Sequence, residues 1–354
     1  MRSLQGRALA AVLGAVTLAC QTSRIAPQEL PETPIAFNYR TPEEARRRAD
    51  AWKDQQDKGG GAARRPQDED APAVRGHEIF ARADEVRDYF ARVFGRGDET
   101  KETYPGRLAL LDPRSGTLRV IEAARRGSVP LEWSPDHQRL LLAQPDERDF
   151  QLYEYEPGNG TVRPITHGPV AHTQGCYASE GRIVVAAVDV TISPPRSRVE
   201  VSRAGGRGPF EPLSDWGNDH SPTCAPDGSA VVWVHESDEG RAELRMRAPI
   251  DTGETRVLAL GRQPRFSRDG AWIVYSAPLR GDWRIWRMRS DGTGRAPIGS
   301  GQRSESRPAL SPDGAFVVYV ASEEPPRKNL YLRRFDGSGD RILFADGDGE
   351  NPVW

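Results

Sequence analysis

The sequence predicts an all-β chain that forms a six-bladed β-propeller, and three observations lead to this fold class. One turn motif recurs at about the spacing of a propeller blade, runs of strand-forming residues follow its copies, and 35 Gly and 29 Pro among 354 residues predict many turns. Long helices are therefore not expected to dominate. The formal net charge of −2 argues against a nucleic-acid partner, because such proteins need a basic face for phosphates.

The amino terminus has the composition of a bacterial export signal. A short basic segment precedes an apolar stretch over residues 8–19, which is too short to span a bilayer. The residues Val16-Thr17-Leu18-Ala19-Cys20 resemble a lipobox, which predicts a signal peptide over residues 1–19 and a palmitate-bearing lipid on Cys20. Gln21, in place of an Asp, implies sorting to the outer membrane. A plain secretory signal with an incidental cysteine is the alternative.

Between the signal and the repeats, composition predicts a tether and one or two short helices. Residues 20–76 are rich in Pro, Gly, Gln and charge, which is typical of a flexible linker. Within them, Thr41-Pro42-Glu43-Glu44 predicts the start of a helix that continues to about Gln56, either solvated or docked on a partner. Apolar residues at three- and four-residue steps predict a second helix over residues 77–95, which is expected to pack on the next domain.

Residues 105–354 consist of repeats of about 40 to 45 residues, the length of a propeller blade. Runs such as Val231-Val232-Trp233-Val234 predict second strands, and alternating runs such as Ile285-Trp286-Arg287-Met288 predict third strands. In the turns, Asp bonds to nearby amides and Gly accepts a positive φ, so the recurrence is structural. The copies are Trp133-Ser134-Pro135-Asp136, a degenerate Tyr177-Ala178-Ser179-Glu180-Gly181, Cys224-Ala225-Pro226-Asp227-Gly228, Phe266-Ser267-Arg268-Asp269-Gly270 and Leu310-Ser311-Pro312-Asp313-Gly314.

The inventory of strands predicts how the ring closes. Strands near residues 108–111 and 118–121 have no first strand ahead of them in the sequence. The carboxyl-terminal Asn351-Pro352-Val353-Trp354 is therefore predicted to supply it, so that one blade is shared between the two ends of the domain. Only five second strands are recognisable, and the second strand of the shared blade is left unassigned.

These units resemble the TolB-type WD40-like (PD40) repeat, with its Pro-x-Trp-Ser-Pro-Asp-Gly turn, over about residues 107–354. The resemblance implies a β-propeller and says little about function, because the same repeat occurs in the propellers of prolyl-oligopeptidase-type enzymes. TolB itself is soluble in the periplasm and has a sizeable α/β domain before its propeller. The leader of this chain is short and predicted to be lipidated, so a TolB-like repeat is implied and identity with TolB is not.

No motif for catalysis or cofactor binding is found. The sequence has no Gly-x-Ser-x-Gly elbow, His-Glu-x-x-His, Cys-x-x-Cys or phosphate loop between strand and helix, so no catalytic residue, metal or cofactor is assigned. Alternate carboxylates in Asp346-Gly347-Asp348-Gly349-Glu350 suggest a calcium site. The ordinary role of Asp-Gly favours instead a turn before the closing strand.

One group of polar residues is a candidate binding surface. Loops from second to third strands, and from fourth strands to the next blade, are expected on one face, with the Pro-Asp-Gly turns on the other. We call the first the His-bearing face. It is hypothesised to bind a metal, to hold an acid-base pair, or to contact a protein with Trp216 as an aromatic anchor. Its candidates are His167, His172, Asp215, Trp216, Asp219, His220, His235 and Glu236.

Cys176 and Cys224 are predicted to remain unpaired. Cys224 takes the apolar position that Phe266 holds in another repeat, where a thiol acts as a small hydrophobe. Cys176 lies one residue before the equivalent position, at Tyr177. Because successive strand residues point to opposite faces, the two thiols are not expected to meet.

Three functions remain open at this stage. The first is an envelope lipoprotein whose propeller binds a protein or glycan partner. The second is a propeller enzyme, a polysaccharide lyase or hydrolase that uses the His-bearing face. The third is a subunit of a larger envelope assembly, docked through the helix from Glu43 and the charged tether.

Overall fold

The computed structural model describes residues 24–58, 106–146, 150–192, 195–203, 206, 208–237, 240–299, 303–322 and 327–354. These residues form six antiparallel sheets of four strands each. The innermost strands of successive sheets are neighbours, and the last of them contacts the first, so the sheets close into a ring. The predicted fold class, a six-bladed β-propeller, is confirmed.

Five of the blades are continuous in sequence, and each runs from the innermost strand to the outer edge in chain order. We number them blades 1 to 5. Their strands are β4 Val129–Trp133, β5 Leu140–Pro145, β6 Phe150–Glu156 and β7 Thr161–Pro164 in blade 1; β8 Ala171–Tyr177, β9 Ile183–Asp189, β10 Arg196–Ser202 and β11 Phe210–Pro212 in blade 2; β12 Asp219–Cys224, β13 Val231–Glu236, β14 Ala242–Arg247 and β15 Thr255–Leu260 in blade 3; β16 Arg262–Phe266, β17 Trp272–Leu279, β18 Asp282–Arg289 and β19 Ala296–Pro297 in blade 4; and β20 Glu305–Leu310, β21 Phe316–Ala321, β22 Asn329–Arg334 and β23 Arg341–Phe344 in blade 5.

The turn from each first strand to its second follows the expected chemistry. In blade 4, Ser267 Oγ donates to Asp269 Oδ1 at 2.5 Å, and Asp269 accepts from the amide of Ala271 at 3.0 Å. Gly270 has φ +70°, a conformation that costs a glycine little. Blade 2 lacks the full motif, and there Glu180 supplies the positive φ that the turn requires, with φ 60° in a short 3₁₀ turn.

The sixth blade, here called the closing blade, is assembled from both ends of the described chain. Its strands, from the channel outward, are β24 Asp348–Val353, β1 Ile35–Arg40, β2 Arg107–Leu111 and β3 Leu118–Val120. The predicted closure by the carboxyl terminus is confirmed, since Val353 pairs with Ala36. The missing second strand is β1, which lies within the predicted tether and is buried along its whole length.

The tether predicted over residues 20–76 is therefore wrong at residues 35–40, and the propeller begins before residue 105. The average composition of residues 20–76 is that of a linker, and a single six-residue strand within it changes this average too little to be recognised. Helix α1, Pro42–Lys58, follows that strand and confirms the predicted helix start. Thr41 and Glu44 form a reciprocal cap: the Glu44 amide donates to Thr41 Oγ1 at 3.2 Å, and the Thr41 amide donates to Glu44 Oε2 at 2.9 Å.

Helix α1 is docked on the propeller rather than solvated on all sides. Arg48 pairs with Asp348 of β24 at 3.1 Å, and both side chains are buried. No helix in the described part of the chain is long and apolar enough to cross a membrane. The signal peptide, Cys20 and the helix predicted over residues 77–95 lie outside the described residues.

The prediction about the cysteines is wrong, because Cys176 and Cys224 form a disulfide with their Cα atoms 5.6 Å apart. In a propeller, one face of each blade packs on the opposite face of the next. A residue one step before the end of β8 therefore meets the last residue of β12. The side chains of Glu132 and Thr223 reach the next blade from the same strand position. Two side chains of adjacent blades therefore meet when they point to opposite faces of their own sheets, as those of Cys176 and Cys224 do.

Candidate functional site

Four of the predicted site residues meet at the ends of two paired strands in blade 3. Strand β12 begins with Asp219 and His220, while its antiparallel partner β13 ends with His235 and Glu236. Asp219 lies opposite His235 in the register. The antiparallel pairing thus collects two carboxylates and two imidazoles at one edge of the ring, on the His-bearing face.

Within this group, each histidine has a carboxylate partner. His235 Nδ1 lies 2.6 Å from Asp219 Oδ1, and the Asp219 side chain is buried. His220 Nε2 lies 3.4 Å from Glu236 Oε1. Glu236 Oε1 also receives Arg262 Nη2 of β16 at 2.9 Å, which connects blade 3 to blade 4. The arrangement is two His–carboxylate pairs, one of them braced by a guanidinium.

The ionisation of Glu236 follows from these neighbours. Burial on its own would raise the pKa of Glu236. The hydrogen bond from His220 and the positive charges of His220, Arg262 and His235 outweigh burial and hold the pKa below its ordinary value. A carboxylate that stays ionised in this way can orient a neighbouring imidazole.

Ser221 extends the second pair toward the centre of the ring. Its hydroxyl lies 2.9 Å from His220 Nδ1, so Ser221, His220 and Glu236 form a continuous hydrogen-bonded chain. Ser221 has φ 53°, a backbone conformation that is costly for a residue with a Cβ. No catalytic motif marks Ser221 in the sequence, because its role depends on a bend in β12 that places its hydroxyl beside His220.

Trp216 and Asp215 lie in the loop between β11 and β12, also on the His-bearing face. The guanidinium of Arg198 stacks over the Trp216 ring at 4.3 Å from its centroid. Asp215 is exposed and Trp216 is half-buried. Ile192, in the loop between β9 and β10 of the same blade, is 41% exposed, which is unusual for a large apolar side chain. We call Arg198, Asp215 and Trp216 the Trp216 patch.

The two remaining histidines do not join the blade 3 group. His172 is buried in blade 2, with its Nδ1 3.1 Å from Gln151 Oε1 and its ring 5.2 Å from that of Phe210. Burial, helped by the charge of His167, lowers the pKa of His172 to about 4, so its imidazole is neutral at physiological pH. His167 is exposed. In the described residues, neither histidine bonds to Asp219, His220, His235 or Glu236.

The arrangement gives little support to a metal centre. Within the described ranges, no three His, Cys, Asp or Glu side chains are placed to hold an ion together. The calcium hypothesis for residues 346–350 also fails to match the geometry, because Asp348 and Glu350 belong to β24. Their carboxylates pair with the buried cations of Arg48 and Lys328. The expected Asp-Gly turn precedes that strand.

The innermost strands enclose a central channel that the sequence analysis did not assign. A cavity of about 50 Å³ lies within it. Four of its lining residues have φ between 50° and 55°, where each first strand bulges toward the axis. These are Ser221, Gln263, Arg307 and Asn351. Each is followed by a proline at the same repeat position, a signal visible in the sequence.

Side chains of this ring also connect neighbouring blades. Gln174 Oε1 accepts from the amide of Ser221 at 2.5 Å, and Gln263 Oε1 accepts from the amide of Arg307 at 2.8 Å. The bulges leave these amides without a partner in their own strand ladder, and the amide side chains of the preceding blades satisfy them. The channel wall is therefore a rigid, hydrogen-bonded surface.

No protein-family model matches the chain. An uncharacterised protein of Agrobacterium fabrum is 30% identical in an alignment of 145 residues that covers 37% of this chain and about half (49%) of that protein. Among solved structures, TolB from Acinetobacter baumannii superposes with a TM-score of 0.62 at 15% identity, over 92% of this chain and 68% of that chain. A putative TolB from Agrobacterium tumefaciens gives 0.54 at 23% identity, over 66% and 87%.

These likenesses establish the fold. The chain is a TolB-like six-bladed propeller, in agreement with the resemblance of its repeats.

Proposed function

We propose that this chain is an exported envelope lipoprotein whose propeller is a rigid platform for a partner, bound on the His-bearing face. The observation that carries the proposal is the Trp216 patch, in which the Arg198 guanidinium stacks on the half-buried Trp216 beside the exposed Asp215. Trp and Arg are among the residues most enriched at the energetic centres of protein interfaces. This composition favours a protein partner over a glycan, and it needs no catalytic group.

Export has independent support from the disulfide. Cystines persist in oxidising compartments such as the bacterial periplasm and are rare in the cytosol. Cys176 and Cys224 are both buried between blades, where the disulfide joins two sheets. A periplasmic or envelope location agrees with the signal predicted over residues 1–19 and with TolB-like relatives in structure.

The partner is best sought by crosslinking and mass spectrometry in intact cells. We expect Trp216→Ala to weaken capture of the crosslinked partner by about thirtyfold, equivalent to roughly 2 kcal/mol. Trp272→Ala is the matched control, because Trp272 also stacks under a guanidinium, that of Arg289 at 4.8 Å, but follows a Pro-Asp-Gly-type turn on the opposite face. Equal capture by both variants would show that the Trp216 patch is not the interface.

The lipid anchor is tested separately at Cys20. Metabolic labelling with palmitate should mark the protein, and Cys20→Ser should lose the label and leave the membrane fraction. Several acyl chains hold a protein stably, since each buried methylene contributes about 0.8 kcal/mol. An unlabelled wild-type protein in the soluble periplasmic fraction would favour the plain secretory signal.

A second candidate function is hydrolysis on the same face. It is favoured by the chain from Ser221 to His220 to Glu236, which has the order of nucleophile, base and orienting acid. In this candidate His220 takes the proton from Ser221 while Glu236 holds the imidazole in place. A fluorophosphonate probe should then label the protein, and Ser221→Ala should abolish labelling. Absence of labelling on the folded wild type would count against this candidate.

A further inference from the structure

The central channel contains a cation, Arg265, for which the described part of the chain provides no partner. Arg265 of β16 lines the cavity, and within the described residues its side chain has no hydrogen bond and no ion pair. Surrounding protein atoms lower the pKa of Arg265, and only the charge of Glu132 opposes this effect. Arg265 is half-buried, and a guanidinium that is partly withdrawn from water without a partner is costly, which favours binding of an anion beside it.

Glu132 does not serve as that anion. It belongs to β4 of blade 1, three blades away from blade 4 and therefore on the opposite side of the six-bladed ring. Its Oε2 is held by the amide of Tyr177 at 2.7 Å, on the wall between blades 1 and 2. No ion pair joins Glu132 to Arg265 in the described structure.

The groups around Arg265 are suited to an anion of one kind. Gln263 Oε1 accepts two hydrogen bonds, from the Arg307 backbone amide and from Ser276 Oγ at 2.9 Å. The side-chain Nε2 of Gln263 is therefore left to donate to a ligand. Arg307 adds a second guanidinium to the cavity lining. A planar guanidinium matches the two oxygens of a carboxylate through paired N–H donors.

The size of the cavity limits the ligand. About 50 Å³ corresponds to roughly three to five water molecules, counting about 10–15 Å³ for each. A carboxylate, with three heavy atoms, fits this space. From the unpartnered guanidinium, the donor set and the volume, we propose that the channel is a binding site for a single carboxylate group, held by Arg265 with Gln263 and Arg307.

This site is separate from the Trp216 patch and does not depend on the proposed partner. The carboxylate has two chemical sources: a small free acid, or the end of a polypeptide that enters the channel. Both would present the same group to Arg265, and the experiment below has an arm for each.

The first measurement is calorimetric titration of the full chain with sodium acetate, with acetamide as the neutral analogue. We expect acetate to bind and acetamide not to bind. Arg265→Gln should weaken acetate binding at least tenfold, because it removes the charge and the paired donors. Arg289→Gln, at an exposed arginine of the same blade, should leave it unchanged. Acetate binding that is absent, or equal in wild type and Arg265→Gln, would overturn the proposal.

A second measurement separates binding from a structural role. Arg265→Met keeps a long side chain and removes the half-buried charge. In buffer without carboxylates we expect this variant to melt at or above the wild-type temperature, and to lose the rise in melting temperature that acetate gives the wild type. If Arg265→Met melts well below the wild type in such a buffer, the arginine supports the fold and the proposal is wrong.

The third measurement identifies the source of the carboxylate. A short peptide with a free carboxyl terminus is compared with its carboxamide and with acetate. Tighter binding of the free-acid peptide than of acetate, lost in the carboxamide, supports a polypeptide end. Equal or weaker binding than acetate supports a small acid. Both outcomes require sensitivity to Arg265→Gln, and binding of peptide acid and carboxamide alike would contradict the carboxylate site.

Discussion

At the scale of single residues, burial inside the ring changes the chemistry of groups that look ordinary in the sequence. Glu132 and Arg265 occupy matching positions of two repeats, one residue before the end of the first strand. At that position other repeats carry Thr223 and Ala309, which are neutral. The repeat pattern predicts the position of these two side chains. It does not predict that Arg265 lines the central channel while Glu132 is held by the Tyr177 amide of the next blade.

Glu132 makes the stability of the protein depend on pH. Burial raises the pKa of Glu132 from 4.5 to about 7, although the Tyr177 amide and Arg265 oppose it. The folded chain therefore keeps a proton that the unfolded chain loses near pH 4.5. The contribution of this carboxyl is greatest below that pH and is lost as the pH rises through about 7.

Glu132→Gln keeps an oxygen for the Tyr177 amide and never ionises. At pH 8 we expect it to exceed the wild type in free energy of unfolding by on the order of 1–3 kcal/mol, and the difference to shrink as the pH is lowered toward 4. Urea unfolding at several pH values measures this. Glu122→Gln, at an exposed site, is the control. A difference that stays constant with pH would show that Glu132 does not titrate near 7.

At the scale of strands and blades, contacts follow the rule that unlike faces of adjacent sheets meet. The disulfide between blades 2 and 3 is one result of this rule, and the bond from the Tyr177 amide to Glu132 is another. Cys176 and Cys224 were predicted on opposite faces of their strands, which is compatible with the disulfide. The prediction that they stay unpaired is wrong, because the ring determines which faces of adjacent sheets meet.

Removal of the disulfide by Cys176→Ala with Cys224→Ala should destabilise the protein. The cysteines are 48 residues apart, and for a loop of this length the chain-entropy model gives up to about 4 kcal/mol. The urea midpoint should fall for the double variant, and a reductant should lower the midpoint of the wild type alone. Peptide mapping without reduction should show the two cysteines joined. Equal midpoints in all four conditions would contradict a stabilising bridge.

At the scale of the whole molecule, the ring is closed by segments far apart in sequence. Strand β24 pairs with β1, and the Trp354 indole donates from Nε1 to the carbonyl of Thr33 at 2.8 Å. Helix α1 adds the pair of Arg48 with Asp348. The carboxyl end is therefore held by β1, by the residues before it and by the helix after it.

Deletion of residues 351–354 should open this closing blade. The change removes the buried Val353 and Trp354 and the innermost strand's pairing with Ala36. Because loss of a single large core side chain costs about 3–5 kcal/mol, we expect the melting temperature to fall by at least about 10 °C. Asp346→Ala, at the exposed turn just before β24, serves as control. A truncated chain that melts with the wild type would refute this closure.

The sequence by itself determined the repeat length, the turns, the capped start of α1 and the use of Trp354 to close the ring. Each of these depends on residues close together in the chain, or on the count of repeats. Tertiary structure decided the remaining points: the place of β1, the disulfide, the grouping of Asp219, His220, His235 and Glu236 without His172, and the channel around Arg265. These depend on which strands pair and which faces pack when the ring closes. Local propensity does not specify strand pairing or face packing between distant segments, so the sequence alone could not predict them.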